Sequence, residues 1–359
     1  MPSNLTNTNI QTENKTYNAI DFAKFICSIL VVMIHVPLFG EQNSTNIFTY
    51  LNFLFKDGIC RMAVPLFFMF SGFLLYKKTK LDNFSTQHVK KYILNIFKLY
   101  IIWSIIYIPL SFMDILAEHK TLSVGILIYI KNFFLKGSYT HLWYLNALCV
   151  AVIIVSFLLY KKISPKRILI ISSFFYVIGL LGSGYEGIIT PLYSIPIIGN
   201  LINWYFYIFS VTRNGLFFAF FFVALGMFLS NKTITISSKK SLLLFIISTI
   251  LMCTETVILK TFNIAKTYDI LIFSIPTALF GFLFLLTLNL KDKPIYKKLR
   301  ELSALIYYTH YYAYYFVLIS ISLFPLAPKG FLLFAMVLLL TITISYLIIK
   351  INKKKIKFY

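Results

Sequence analysis

From Ile20 to Phe39 the chain reads IDFAKFICSILVVMIHVPLF. About 20 residues at 1.5 Å of helical rise cross the hydrocarbon core of a bilayer, so this stretch has the length and apolarity of a membrane-spanning helix. Lys24 and His35 stand inside it, and both are costly to hold in lipid. They are eleven positions apart. At about 100° per residue, eleven steps bring a helix back to nearly the same face, and the two side chains fall on one stripe roughly 16 Å apart along the axis. Lipid would not tolerate that stripe, so it must face the protein interior or a cavity. The helix reads as one wall of an active site.

The rest of the chain has the same character. Of 359 residues, 59% are hydrophobic, 18% aromatic and only 13% charged, and apolar runs of spanning length recur throughout. That is the profile of a polytopic all-α membrane protein, a bundle of helices in a lipid bilayer. A net charge of +22 would suit a nucleic-acid partner, but the charges sit in short clusters between apolar runs, as in cytoplasmic loops of membrane proteins. No nucleic acid is expected. The cysteines Cys27, Cys60, Cys149 and Cys253 are scattered, with no metal-ligand spacing and no disulfide framework. Neither a metal nor a permanently bound cofactor is expected. Thirty lysines against four arginines suggest an AT-rich bacterial genome.

Ten spans are predicted, at approximately 20–39, 60–76, 92–112, 142–160, 167–182, 214–230, 241–259, 269–289, 303–323 and 330–350. The stretch from Thr190 to Ser210 is apolar but broken by Pro191, Pro196 and Gly199, and reads as a re-entrant or interfacial piece. Loops after even-numbered spans, with the C-terminal tail, hold 22 lysines and arginines, whereas loops after odd-numbered spans hold nine. The asymmetry predicts both termini in the cytoplasm. The domain plan is an Asn- and Thr-rich N-terminal tail at 1–18, expected to be disordered, a membrane domain at 19–350 and a basic tail at 351–359. The start is not a basic n-region, and the first span is too long for a cleaved signal.

In this topology Lys24 lies near the cytoplasmic end of the first helix and His35 in its outer half. Arg61 opens the second helix from outside, with Ser71 and Gly72 deeper in it. His141 and Trp143 begin the fourth helix, and Arg213 begins the sixth. His310 lies mid-membrane among Tyr307, Tyr308, Tyr311 and Tyr314, too deep to reach the surface by snorkelling. Glu255, in the outer half of the seventh, is expected to pair with Arg213 or Arg61.

At these residues the sequence resembles membrane acyltransferase family 3. The likeness rests on Lys24-x10-His35, RMAVPLFFMFSGFLL from Arg61, HLWYL from His141, TRNGLFFAFFFVALGMFL from Thr212 and SALIYYTHYY from Ser303. Five motifs in order, each at a consistent depth, are more specific than any one of them. The look is nearest to the membrane half of vancomycin-resistance serine racemases. Since the chain ends after the tenth span, no racemase activity is expected.

The resemblance implies acyl transfer in a bacterial plasma membrane. Acyl-CoA, foremost acetyl-CoA, would be the donor substrate, and a hydroxyl of a cell-envelope glycan, lipid-linked sugar or small molecule the acceptor. His35 would act as general base or carry the acyl group transiently, both of which need a neutral imidazole. Lys24 would contact the phosphate or pantetheine end of acyl-CoA, against the plainer reading of a lysine snorkelling to lipid phosphate. Arg61, His141, Trp143, Arg213 and His310 are the remaining candidates for substrate contact. For each the plain reading is structural: headgroup anchoring for Arg61 and Arg213, an interfacial belt for His141 and Trp143, and an inward polar cluster for His310. Ser71 reads as a small packing residue beside Gly72. The rival class is an envelope-polysaccharide transporter or flippase. Transporters of this kind often carry internal repeats, and no second copy of Lys24-x10-His35 occurs in the other half. A silent sensor of an extracellular ligand is a third class. Oligomeric state is not legible.

Overall fold

A computed structural model describes residues 17–39, 47–79, 84–118, 121–209, 211–322 and 329–351. All regular structure among them is helical: α1 (Asn18–His35), α2 (Ile47–Phe53), α3 (Ala63–Thr79), α4 (Thr86–Ile106), α5 (Ile108–Ala117), α6 (Leu122–Leu135), α7 (Trp143–Tyr160), α8 (Pro165–Leu181), α9 (Glu186–Ile189), α10 (Pro196–Phe209), α11 (Phe220–Ser230), α12 (Ser238–Thr261), α13 (Ser274–Thr287), α14 (Pro294–Ser322) and α15 (Phe331–Ile351). Five stretches are each long and apolar enough to cross a bilayer: α1, Ile47–Thr79, α7, α12 and α15. Two bent pairs raise the number to seven if each pair is one span: α4 with α5, bent by 55°, and α8 with Glu186–Ser194, bent by 81°. The protein is a helical multi-pass membrane protein.

Helix propensity and burial pattern explain how the elements sit. On α1 the small or branched residues Ala23, Cys27 and Val31 are buried, while Phe22 and Ile26 face outward. Leu243, Ile246, Ile247 and Ile250 of α12, with Leu332, Leu339 and Leu347 of α15, form outward apolar faces suited to lipid. The interior is aromatic. Phe68, Phe70, Phe218, Phe220, Phe222 and Phe282 are fully buried around Tyr76 and Tyr176. Both phenols keep hydrogen bonds there, Tyr76 with Ser156 and Tyr176 with Ser274 and the Leu271 carbonyl, each pair at 2.7 Å.

α3 and α11 cross at backbone contact. A Cβ added at Gly72 would stand 2.3 Å from the Val223 carbonyl oxygen, and one added at Gly226 would stand 2.3 Å from that of Met69. Reciprocal glycines at a crossing are how two membrane helices approach most closely.

The structure departs from the sequence reading at several places, among them the helical stretch Ile47–Thr79, which begins well before the predicted span at 60–76. α1 ends at His35 rather than Phe39, because Pro37 disfavours helical geometry in the residue before it. The third predicted span is kinked at Tyr107, where Pro109 cannot continue the ladder. Residues read as an outer loop form the apolar helix α6, which packs on α5. Asn18, assigned to the tail, is buried, and its amide donates to the Leu290 and Lys291 carbonyls and to Asp292. The tails themselves, 1–16 and 352–359, lie outside the described residues. The stretch from Thr190 is a 3₁₀ turn to Ser194 followed by α10, and the segment Glu186–Ser194 is bent by 81° from α8.

Candidate active site

α1 and α14 lie side by side, and the inward face of each supplies residues to one cavity of about 220 Å³. From α1 come Lys24, Val31, Ile34 and His35; from α14 come Arg300, Ser303, Ala304, Tyr307 and Tyr308. The α14 set recurs at the three- and four-residue spacing of one helical face. α3 adds Val64, Phe67 and Ser71, and the start of α7 adds His141, Trp143, Tyr144 and Leu145. Arg61, Arg213, Phe218 and Asp269 complete the lining. Lys24 and His35 therefore border the same space, as their shared stripe requires. Ser303 Oγ donates to the Lys24 carbonyl at 2.8 Å, tying the two helices together near the lysine.

At the lysine end, Arg300 pairs with Asp21 at 3.2 Å, one turn before Lys24. Two cations and one carboxylate stand there. At the other end the charges balance. Arg61 pairs with both Asp57 and Asp269, and Arg213 Nη1 donates to Asp269 at 2.8 Å. The Arg213 guanidinium lies 4.7 Å from the centre of the Trp143 ring, a cation–π contact. Each arginine is aimed by an uncommon piece of backbone. A π-helical turn, Leu54–Gly58, leads into the 3₁₀ turn that carries Arg61; another, Gly215–Ala219, follows Arg213 and is capped by Asn214, whose side chain accepts from the Leu216 and Phe217 amides. Such turns often sit at functional sites.

His35 is the last residue of α1, where the carbonyl end of the helix favours positive charge. Its Nδ1 shares a hydrogen bond with Tyr311 Oη at 2.8 Å. His310 stacks near it, ring centres 5.4 Å apart, and His141 lies edge-on to His310 at 4.9 Å. His310 Nδ1 lies 2.8 Å from the Tyr307 carbonyl, and Tyr307 Oη donates to the His141 carbonyl at 2.6 Å. Among the described residues, His310 Nε2 and both ring nitrogens of His141 are buried without a hydrogen-bond partner. No group of three or more metal-ligating side chains is poised for a metal ion among the described residues.

A family model described as an acyltransferase domain matches residues 17–350. The chain belongs to acyltransferase family 3. An amino-acid racemase of Enterococcus faecalis is 30% identical over 341 residues, 94% of this chain and 46% of that protein. A serine/alanine racemase of Enterococcus gallinarum is 30% identical over 296 residues, 82% of this chain and 40% of that protein. The chain thus spans less than half the length of these curated relatives. No solved structure matches.

Within this family member the structure brings together residues that the sequence left apart. His141 is no belt residue but packs between His310 and Tyr311, and Trp143 stacks under Arg213 at the cavity wall. Of the predicted site residues, six line the cavity: Lys24, His35, Arg61, His141, Trp143 and Arg213. His310 stands behind them against the His35 and His141 rings. Ser71, read as packing, lines the cavity and lies 3.3 Å from Tyr144 Oη.

One pairing is corrected. Glu255 reaches neither Arg61 nor Arg213. It accepts from Tyr185 Oη at 2.6 Å and from the Ile272 and Phe273 amides at 2.7 and 2.9 Å, just ahead of α13. The acids that hold the arginines are Asp57 and Asp269, which sequence reasoning missed. Arg300 was missed too, although its spacing with Ser303 and Tyr307 follows one face of α14.

Proposed function

We propose that the chain is a bacterial cell-membrane O-acyltransferase that crosses the bilayer ten times with both termini in the cytoplasm. It takes an acyl group, foremost acetyl, from cytoplasmic acyl-CoA and delivers it to a hydroxyl of a cell-envelope glycan, lipid-linked sugar or small molecule. The observation that supports the reading is the single cavity with Lys24 and Arg300 at one end, His35 further along, and a charge-balanced cluster at the other. A volume of about 220 Å³ falls below the ~300–1,000 Å³ of sites that enclose drug-sized ligands, so the cavity takes the thioester arm while the nucleotide stays at the lysine end. Lys24 and Arg300 offset the phosphate charge there.

In this mechanism His35 Nε2 accepts the proton of the acceptor hydroxyl as its oxygen attacks the thioester carbonyl. The carbon–sulfur bond then breaks, the ester forms, and the imidazolium returns its proton to the departing thiolate, releasing CoA with its thiol restored. The carbonyl end of α1 supports the imidazolium between those two transfers. Arg61 and Arg213, held by Asp269, orient the acceptor.

The test is purified protein in lipid nanodiscs with acetyl-CoA labelled in the acetyl group and an extract of envelope glycans. The expected result is labelled acceptor with stoichiometric CoA thiol, lost in His35→Ala. Full transfer by His35→Ala would overturn the role of His35. Glycan translocation with no CoA release would favour a transporter.

A further inference from the structure

At the far end of α7 from Trp143, two adjoining cavities lie apart from the site above. One, of about 750 Å³, is lined by Lys162, Lys166, Lys232 and Asn231, with Phe84 and Tyr160. No aspartate or glutamate stands among its described lining residues. The other, of about 300 Å³, is an apolar groove between α4 and α7 lined by Val89, Ile93, Leu94 and Phe157, with Lys90 as its charged residue. Its α4 residues recur at the spacing of one helical face. Phe84 and Tyr160 belong to both linings, so the two spaces meet at these rings. Leu94, Phe157 and Tyr160 are 55%, 56% and 63% exposed, which leaves the groove open on the side that lipid would cover.

The level in the membrane follows from helix length. The 18 residues of α7 at 1.5 Å of rise span roughly 27 Å, close to the hydrocarbon thickness, so the lysines beyond Tyr160 sit at headgroup height. Two local features aim positive charge at the larger cavity. Lys162 holds left-handed backbone, φ 58°, in the turn that closes α7, where its amide donates to the Leu159 carbonyl at 2.8 Å. Glycine is the usual residue there, and lysine takes the position only with backbone strain. Ser164 and Pro165 also line the cavity, and α8 begins at Pro165, so the amide end of that helix lies against the same space.

We propose that the paired cavities hold one anionic phospholipid, its headgroup phosphate among Lys162, Lys166 and Lys232 and an acyl chain in the α4–α7 groove. Basic pockets between helices at a membrane surface are where acidic headgroups bind. A free phosphate would leave the groove unfilled, and a lipid of no net charge would give the three lysines nothing to neutralise. The proposal is independent of acyl transfer and needs only a multi-pass membrane protein.

The test titrates full-length protein in detergent with phosphatidylglycerol, with phosphatidylcholine of the same chains, or with inorganic phosphate, and reads native mass spectra and the melting midpoint. The expected result is one phosphatidylglycerol retained per chain, at least about tenfold more tightly than phosphatidylcholine, with a rise in midpoint that inorganic phosphate does not reproduce. Lys162→Gln, Lys166→Gln and Lys232→Gln together should weaken retention about a hundredfold, roughly fivefold for each lysine. Lys239→Gln, Lys240→Gln and Lys298→Gln together, at exposed positions outside both cavities, should leave it unchanged. Equal retention of phosphatidylcholine, equal stabilisation by inorganic phosphate, or an equal loss in the two triple variants would overturn the proposal, the last outcome marking only a general attraction of a basic surface to acidic lipid. If the first triple variant does not fold, Leu94→Trp, which fills the groove from its exposed side, must lower retention, and unchanged retention overturns the proposal.

Discussion

Replacing Asp269 by Asn tests the charge cluster most directly. The Asp269 side chain is 6% exposed and is shared by Arg61, at 15%, and Arg213, at 28%. Removing one member of a buried ionic network costs about 3–5 kcal/mol, because the remaining charges stay desolvated. Arg61 retains Asp57, and Asn still offers one oxygen to Arg213, so the lower figure, about 3 kcal/mol, applies. With an unfolding entropy of about 2.1 cal/mol/K per residue, a chain of 359 residues has roughly 0.75 kcal/mol/K, and the variant should melt about 4 °C lower. Arg213→Gln removes a partner of the same carboxylate, so Asp269→Asn with Arg213→Gln should fall short of the sum of the singles by about 1 kcal/mol or more. Differential scanning fluorimetry of the two singles and the double reads both effects. A midpoint within about 1 °C of wild type, or additive singles, would refute the shared carboxylate.

Other perturbations follow from the same contacts. Glu255→Ala leaves the Ile272 and Phe273 amides and Tyr185 Oη without their acceptor and should cost about 3 kcal/mol, seen as a lower melting midpoint with kcat unchanged in the surviving protein. Gly72→Val drives a side chain into the Val223 carbonyl and should abolish monodisperse protein on size-exclusion chromatography, while Gly125→Ala, whose added Cβ meets only side-chain atoms, should not. Lys24→Gln should raise KM for acetyl-CoA by roughly tenfold with kcat held, and flatten its dependence on salt, as expected for loss of one cation at a phosphate. Asn214→Ala removes the cap on two amides and should cost about 1 kcal/mol in thermal stability.

What the sequence conveyed and what it concealed divide along a physical line. Periodicity within one helix is written in the chain, so Lys24 and His35 could be assigned to one stripe before any coordinates existed. Contacts between helices are not. Nothing in the spacing of His35, His141 and His310 says that α1, α14 and the start of α7 meet, and so three imidazoles that pack together read as an active-site base, a belt residue and a deep polar cluster. The acids of the arginine cluster escaped for another reason. Asp57 stands four residues before Arg61, a helical spacing that went unused because the turn there is π-helical, and Asp269 lies in the link between α12 and α13, where no helical repeat marks a functional face. Glu255, standing inside a regular helix, drew the pairing to itself, although its carboxylate is taken up by backbone amides. α6 was passed over because Gly125 and Lys131 interrupt a run too short to span, yet Ser104 and Tyr129 anchor it: the Tyr129 phenol donates to the Ser104 carbonyl at 2.8 Å.

The glycine crossing of α3 with α11 determines which side of the cavity can give way. Those two helices already touch carbonyl to Cα, leaving no slack for either to recede, and they carry Phe67, Ser71 and, through the turn ahead of α11, Phe218. That wall is an anvil. Any widening must come from the other walls, α1, α14 and the start of α7, which carry Lys24, His35 and His141. On the proposed acyl transfer, room for a longer acyl chain and the alignment of His35 are therefore mechanically linked.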